Sequence, residues 1–307
     1  MSLETTLKRR ARRLVARLRN RPTAADVPPS RLLALEELAT LPREVLEERC
    51  RALASPIYLG DRTALCRILG RYKIYCDTND ITICAHLLLE GYWEAWLSQF
   101  MARVVKPGWT VADVGANYGY YTLLFADLVG PEGRVVAVEP NPEAAELLGR
   151  SVFLNGFGAR TTIHEVAAGA ADGGTARLLV PRRMTGGAAV AEVASLSLPD
   201  IVQHDVPLRS LDSLLGSEAR LDFLKIDVEG SEERIVTGME RLFARGRPPM
   251  VLEFNPARYP DARAFLNHLT GLYGSLREVG FGGDAVPVDF ERVLSEPTEW
   301  LLFLSRQ

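Results

Sequence analysis

The chain has 307 residues, of which 47% are hydrophobic and 24% charged, and its formal net charge at pH 7 is −3. This composition is typical of a globular protein with a sizeable core, and it argues against a disordered or fibrous chain. No apolar run of about eighteen residues occurs, so no transmembrane helix is expected. No apolar stretch follows the N-terminal charges, and the four cysteines lack Cys-x-x-Cys spacing. We therefore expect a cytoplasmic protein with reduced thiols.

The N-terminal segment is strongly basic. Residues 1–21 contain eight basic side chains and one acidic side chain. Leu3, Leu7, Leu14 and Leu18 share one helical face, which predicts a basic amphipathic helix. Such a helix would make peripheral contact with an anionic membrane; the alternative is a solvated helix, or one docked on the acidic remainder of the chain. Nucleic acid is not an expected partner, because one short basic arm on an acidic body makes a poor phosphate-tracking surface.

The rest of the chain divides into an extension and a larger α/β domain. Residues 1–80 are predicted to form the basic arm and a mostly helical extension, and residues 81–307 the domain. The early elements are predicted as a linker at 22–30, a helix at 30–53, a strand at 71–77 and helices within 80–102.

From about residue 107 onward, strands and helices alternate, which indicates a parallel sheet covered on both faces. Strands are predicted near 111–115, 134–139, 161–167, 221–227, 249–254, 276–280 and 299–305, and helices near 119–129, 142–154, 231–244 and 261–272. The interval 170–209 interrupts this rhythm. We expect it to be an insertion of strands and loops that lies over a ligand cleft.

A glycine turn follows the first strand of the alternating part. Residues 113–120 read Asp-Val-Gly-Ala-Asn-Tyr-Gly-Tyr, and open parallel sheets bind ligands at this end of their strands. A dinucleotide fingerprint needs three glycines, but Asn117 and Tyr120 replace the second and third. Glu139 ends the next strand, where its paired oxygens suit two ribose hydroxyls. The pattern favours a nucleoside without phosphate, such as S-adenosylmethionine, over a turn with no ligand.

A second group of charges lies on the strand predicted at 221–227. Lys225, Asp227 and Glu229 share one face of a strand that should be buried on both faces. Buried charges need partners, so we expect Lys225 to pair with Asp227 or with a ligand. Either acid could remove a proton from an acceptor hydroxyl, or the acids could hold Mg²⁺. A structural ion pair beside a helix capped by Ser231 is the alternative.

Two further residues are candidates for contact with the substrate. Glu253 ends the strand predicted at 249–254 and would point into the same crevice, or it would be a loop-capping acid. His204 lies in the insertion and could bind the substrate or serve as a base, with an exposed polar loop residue as the alternative.

These motifs together resemble the FkbM family of S-adenosylmethionine-dependent methyltransferases over about residues 85–255. The matching segments are 91–94, 113–120, 138–142, 166–169, 211–215 and 225–232, with Asn155 between them. The ordered set is specific, above all the Lys-Ile-Asp-Val-Glu-Gly run that begins at Lys225.

The resemblance implies a class I methyltransferase fold, which is a Rossmann-like seven-stranded sheet in the order 3-2-1-4-5-7-6 with the last strand antiparallel. It implies methyl transfer to a hydroxyl of a sugar, glycolipid or polyketide-type acceptor. It further implies a set of residues that bind S-adenosylmethionine. These are Glu94, Asp113, Gly115, Ala116, Asn117, Tyr118, Gly119, Glu139, Pro140, Asn141, Ala167 and Asp227. Residues 1–80 and 170–209 depart from the shared pattern and are expected to select the acceptor.

Three other functions stay open at this point. The first is a nicotinamide oxidoreductase on a similar sheet, which the glycine pattern disfavours. The second is a non-catalytic binding module built on a methyltransferase core, which the paired acids Asp227 and Glu229 disfavour. The third is methyl transfer to nitrogen or carbon within the same fold.

Overall fold

The computed structural model describes residues 31–191, 200–216 and 220–306. The predicted basic arm and the linker at 22–30 lie outside the described residues. The helices are α1 (Leu35–Thr40), α2 (Arg43–Leu53), α3 (Ile83–Glu90), α4 (Ala95–Val104), α5 (Tyr120–Leu128), α6 (Pro142–Leu154), α7 (Leu211–Leu214), α8 (Glu232–Thr237), α9 (Glu240–Arg245), α10 (Ala262–Tyr273) and α11 (Phe290–Ser295). Short 3-10 turns span Thr185–Gly187 and Pro256–Arg258.

The strands form three sheets of eight, four and three strands. They are β1 (Ile57–Gly60), β2 (Thr63–Ile68), β3 (Tyr72–Asp77), β4 (Thr110–Val114), β5 (Arg134–Val138), β6 (Thr161–His164), β7 (Ala167–Ala168), β8 (Thr175–Pro181), β9 (Ala189–Ala191), β10 (Ile201–Arg209), β11 (Phe223–Ile226), β12 (Met250–Phe254), β13 (Arg277–Val279), β14 (Ala285–Pro287) and β15 (Trp300–Leu304).

The eight-stranded sheet organises the larger domain. Its strand order is β6-β5-β4-β11-β12-β15-β13-β14. The first five of these strands are parallel, whereas β15 runs antiparallel to both β12 and β13. The α/β class predicted from the alternating pattern is therefore confirmed. The sheet has eight strands rather than the predicted seven, because residues 285–287 pair with β13 as an edge hairpin.

The centre of this sheet places polar groups where apolar side chains are the rule. β4 and β11 are buried along their length and lie side by side, with Asp113 opposite Lys225 in the parallel register. Asp113 is fully buried and Lys225 is 3% exposed. Central parallel strands are normally continuous apolar runs, because helices cover both faces. This exception lies near the carboxyl ends of the strands, where open α/β sheets bind ligands.

The extension differs from the mostly helical segment that the sequence predicts. One predicted helix is divided into α1 and α2 at Pro42, the residue that precedes α2. Residues 57–77 form the antiparallel sheet β1-β2-β3, of which only the third strand was predicted. The turn between β1 and β2 has positive φ at Asp61 and Arg62. Asp-Arg is not a usual central pair for such a turn, and the signal of the preceding Gly60, which has a φ of +92°, was missed in the sequence analysis.

The extension packs directly on the larger domain. β3 lies along α6, where Ser151 and Asn155 accept hydrogen bonds from backbone N–H groups of β3. The guanidinium of Arg71 and the hydroxyl of Tyr72 both donate to the carboxylate of Asp127 on α5, at 2.7 and 2.9 Å. Buried side chains of the extension and of the domain form one hydrophobic core. Among the described residues, no helix combines the length and the apolar character needed to cross a bilayer.

Replacement of Asp127 by alanine is expected to destabilise the fold. The change removes the acceptor shared by Arg71 and by Tyr72, which is only 3% exposed. Since hydrogen bonds to charged groups contribute about 1.5–3 kcal/mol, the free energy of unfolding in urea should fall by about 2 kcal/mol. The exposed Glu132→Ala is the control and should change it by less than about 0.5 kcal/mol. Equal values for the two variants would contradict this role of Asp127.

Candidate active site

The glycine turn connects β4 to α5 at the carboxyl edge of the large sheet. Gly115 has a φ of +81°, and an added Cβ there would lie 1.8 Å from the carbonyl oxygen of Asp227. The backbone N–H groups of Gly115 and Ala116 both donate to the carbonyl of Val138, at 2.9 and 3.1 Å. The turn is thus wedged between the ends of β5 and β11, and only glycine fits at its first position.

Glu139 joins the turn to the start of α6. Its Oε2 accepts from the backbone N–H of Asn117 at 2.7 Å, and its Oε1 accepts from the backbone N–H of Asn141 at 2.8 Å. Burial raises the pKa of Glu139 to about 7, although these two backbone donors lower it. A carboxylate has about four lone-pair sites, so two remain available to a ligand. Glu139 therefore both fixes the turn and offers acceptors beside it.

A cavity of about 450 Å³ lies over the turn. This volume falls within the usual range of small-molecule sites. The predicted site residues that line it are Glu94, Gly115, Asn117, Glu139, Pro140, Ala167, Asp227, Glu229 and Glu253. The insertion contributes Leu178, Val190 and residues 184–188, so its strands border the cavity.

Three predicted site residues lie behind the cavity wall and support it. Asp113 accepts from the hydroxyl of Thr122 at 2.6 Å, while its buried Oδ1 has no partner among the described residues. Burial raises the pKa of Asp113, although the positive charge of Lys225 lowers it. Asn141 uses its side chain to cap α6. Gly119 packs closely against Leu148, so that an added Cβ at this glycine would lie 2.3 Å from the leucine side chain.

Three more predicted residues also lie outside the lining. Ala116 is buried beneath the turn, 6% exposed. The hydroxyl of Tyr118 donates to Asp80 at 3.3 Å and does not face the cavity. His204 lies on β10 opposite Leu178, but it is not among the residues that line the cavity. The structure therefore brings most of the predicted cofactor residues together and leaves His204 apart from them.

Asp80 is a functional residue that the sequence analysis missed. It is 2% exposed, and its Oδ2 accepts from the hydroxyls of Tyr118 and Thr185. The Asn117 side chain lies 3.4 Å from the same Thr185 hydroxyl. Asp80 thereby ties the insertion to the glycine turn. The available signal was an aspartate just before a helix, since its Oδ1 accepts from the backbone N–H groups of residues 82 and 83.

The predicted pairing of Lys225 with Asp227 is confirmed at 3.0 Å. Burial alone would lower the pKa of Lys225, but the carboxylates of Asp227 and Asp113 raise it above its usual value. The ammonium also lies 4.9 Å from the ring centre of Tyr121. Lys225 is thus held as a cation, and it fixes the Asp227 carboxylate at the edge of the cavity.

Arg258 is the second residue that the sequence analysis missed. Its guanidinium contacts the carboxylates of Glu229 and Glu253 at 2.5 and 2.6 Å. Burial raises the pKa of Glu229 to about 7, although Arg258 lowers it, and Glu229 has a φ of +58°. Burial together with the nearby Asp227 raises the pKa of Glu253. Nothing in the local sequence Pro-Ala-Arg signals this role, because the arginine reaches the site only through the turn after β12.

The carboxylates of Asp227, Glu229 and Glu253 could in principle hold a metal ion, because one oxygen of each lies within 4.8 Å of the others. Arg258, however, already supplies positive charge to two of the three acids. A divalent cation would have to displace this guanidinium. The residues as arranged do not fit a metal site, and Mg²⁺ has no part in the chemistry proposed below.

Glu94 stands at the start of α4 with a φ of +41°. Its carboxylate accepts from the hydroxyl of Tyr121 at 2.8 Å. Burial and the nearby Asp227 raise the pKa of Glu94 to about 7. Glu94, which is predicted to contact the cofactor, therefore lies at the cavity wall, close enough to Asp227 for the two carboxylates to repel each other.

A strand, a glycine turn, a helix and an acid on the next strand define an α/β protein with a site for a small ligand. The family model described as the methyltransferase FkbM domain matches residues 113–283. The chain belongs to this family, as the sequence motifs predicted.

Curated relatives match shorter segments. The chain is 44% identical over 81 residues to protein-L-isoaspartate O-methyltransferase 1 of Arabidopsis thaliana, which covers 25% of this chain and 33% of that protein. It is 48% identical over 52 residues to protein-L-isoaspartate O-methyltransferase of Aeropyrum pernix, which covers 17% and 20%. The chain thus spans a third or less of the length of these two relatives.

Solved structures of similar fold include a methyltransferase FkbM from Methylobacillus flagellatus, at 16% identity and a TM-score of 0.41, covering 68% of this chain and 53% of that chain. Another is the O-methyltransferase TomG of Streptomyces achromogenes, at 14% identity and a TM-score of 0.39, covering 70% and 79%. Because both TM-scores are below 0.5, the family assignment depends on the family model.

Gly115→Ala is expected to damage the site more than a matched change elsewhere. Gly108 has nearly the same φ, +80°, but no atom lies within 4 Å of an added Cβ there. Gly108→Ala should therefore cost only the left-handed strain of about 1–2 kcal/mol. Gly115→Ala must also move the end of β11 and should cost about 2 kcal/mol more. Urea unfolding measures both values, and a smaller loss for Gly115→Ala than for Gly108→Ala would contradict the wedge.

Proposed function

We propose that this protein is an S-adenosylmethionine-dependent methyltransferase that transfers the methyl group to an oxygen, the hydroxyl of a sugar, glycolipid or polyketide-type acceptor. The observation that carries the proposal is Glu139, a buried acid with two free acceptor sites. It lies beside a glycine turn that lacks the second and third glycines of a pyrophosphate site. The proposal includes the assignment of the large sheet to the seven-stranded sheet of class I methyltransferases, with β14 as an added edge strand. It also includes a cytoplasmic location, with membrane contact through residues 1–21.

The cavity fits this cofactor in its size and in the chemistry of its walls. Glu139 would accept from the two ribose hydroxyls, and Pro140 and Ala167 would border the adenine. The turn at Gly115 and Asn117 would hold the methionine part, with Glu94 near its ammonium. The unpartnered Oδ1 of Asp113, just behind the turn, suits the same positive group through an ordered water.

S-adenosylmethionine supplies a methyl group on a positively charged sulfur, which makes the carbon electrophilic. The chain has to align the acceptor oxygen and to receive its proton. Asp227 is suited to this task, because Lys225 orients its carboxylate and a third of that side chain is exposed to the cavity. Glu229 is less suited, since Arg258 already holds its carboxylate. We propose Asp227 as the residue that orients and deprotonates the acceptor.

Affinity for S-adenosylhomocysteine should fall as the pH is lowered from 8 to 6. Because the pKa of Glu139 is raised to about 7, its carboxyl gains a proton over this range and loses one acceptor site. Glu139→Gln should weaken binding at pH 8 by about tenfold or more, and should reduce the pH dependence to the part that Glu94 contributes, since the pKa of Glu94 is also raised to about 7. Calorimetric titration measures both effects.

Glu229→Gln is the matched control, because the pKa of Glu229 is also raised to about 7. This variant should keep the pH dependence of the wild-type protein. A Glu139→Gln protein that binds S-adenosylhomocysteine with wild-type affinity at pH 8 would remove the ribose assignment.

Asp227→Asn should lower methyl transfer without a large loss of cofactor affinity. Tritium transfer from labelled S-adenosylmethionine to a bacterial glycolipid and polysaccharide extract should slow by about a hundredfold or more. Glu229→Gln should slow it by less than about tenfold, and the exposed Glu291→Gln should leave it unchanged. Wild-type transfer rates in Asp227→Asn would exclude Asp227 as the base. A wild-type protein that binds the cofactor but transfers no tritium would instead favour the binding module.

A further inference from the structure

A second cavity adjoins the first at the carboxyl edge of the sheet. It has a volume of about 420 Å³ and is formed by the β13–β14 hairpin, the segment before β15 and the start of α4. Glu94 and Glu253 line both cavities, so their side chains form the wall between them. Asp227 interacts electrostatically with both of these acids from the side of the first cavity. The side chains of Glu94 and Glu253 therefore separate a molecule in the second cavity from the methyl-transfer centre in the first.

The second cavity carries an excess of negative charge. Five glutamates line it, namely Glu94, Glu253, Glu278, Glu296 and Glu299, whereas Arg292 is the one basic residue among the lining residues. Arg292 is paired with Glu296 at 3.1 Å, and Arg258 reaches Glu253 and Glu299 from outside the lining. The half-buried Glu278 interacts electrostatically with Arg292, which is already paired with Glu296. The walls of the second cavity thus contain more carboxylates than cations.

Aromatic rings complete the mouth of this cavity. Trp96 and Phe281 pack edge to face with ring centres 4.7 Å apart, and Phe281 is 70% exposed. Aromatic faces attract cations and also pack against apolar C–H surfaces, so they suit a ring-shaped ligand with a positive group.

We propose that the second cavity binds the body of the methyl acceptor, whose reacting hydroxyl passes between Glu94 and Glu253 to reach Asp227, and that this acceptor carries a free ammonium group, of which an amino sugar is the model. The carboxylates of Glu278 and Glu299 face the ammonium and the hydroxyls, and the rings of Trp96 and Phe281 cover the sugar. The inference rests on the proposed methyl transfer, and it assigns acceptor selection to residues 278–301. The N-terminal extension and the insertion at 170–209 then serve the cofactor side.

The test uses the full chain loaded with S-adenosylhomocysteine. Saturation-transfer NMR compares D-glucosamine and D-galactosamine with their N-acetylated forms, which keep the ring and lose the charge. The amines should bind at least about fivefold more tightly than the N-acetylated sugars. Glu278→Gln should reduce this preference by about fivefold, and Phe281→Ala should weaken binding of both classes. The control Glu291→Gln, on α11 but outside the lining, should match the wild type.

Equal binding of amines and N-acetylated sugars, an unchanged preference in Glu278→Gln, or no saturation transfer to any of the four sugars would overturn the proposal. Calorimetric titration of the same samples with S-adenosylhomocysteine separates this failure from failure of the proposed function. If the cofactor analogue binds and the sugars fail, only the acceptor assignment falls. If the analogue itself does not bind, the methyltransferase proposal falls first.

Discussion

The arrangement of the site depends on one buried carboxylate. Glu139 accepts backbone N–H groups from Asn117 in the glycine turn and from Asn141 at the start of α6. The two segments belong to different β–α units, so this residue sets their spacing. It keeps two acceptor sites for a ligand, and burial raises its pKa to about 7 because few other charges stabilise it. The same group therefore supports the turn and offers hydrogen-bond acceptors at the cavity wall.

The charges around the cavity follow from the cost of burying them. Besides Glu139, four carboxylates line the first cavity, namely Glu94, Asp227, Glu229 and Glu253, and two cations, Lys225 and Arg258, compensate these four. The compensation is incomplete, so burial raises the pKa values of Glu94 and Glu229 to about 7.

Local chemistry in the sequence was sufficient to locate the turn, Glu139 and the Lys225–Asp227 pair, because each lies at the carboxyl end of a strand that the sequence pattern predicts. It was not sufficient for Asp80 and Arg258, which reach the site from a loop before α3 and a turn after β12. The same limit applies to the fold. The alternating strands and helices were predictable from periodicity. The β1–β2 hairpin was missed, because Asp61 and Arg62 occupy the central turn positions at positive φ and the glycine of this turn, Gly60, precedes them. Long-range packing, rather than residue type, determines these features.

A thermal-shift comparison of S-adenosylhomocysteine with NADH tests most directly whether the cavity is shaped for a nucleoside without phosphate. A ligand that binds the native state alone stabilises it by RT ln(1 + [L]/Kd), where [L] is the free ligand concentration, and so raises the melting temperature. The mechanism predicts that S-adenosylhomocysteine raises the melting temperature at millimolar concentration, whereas NADH at the same concentration does not. A shift with NADH and none with S-adenosylhomocysteine would show that the cavity accepts a pyrophosphate and would contradict the methyltransferase function.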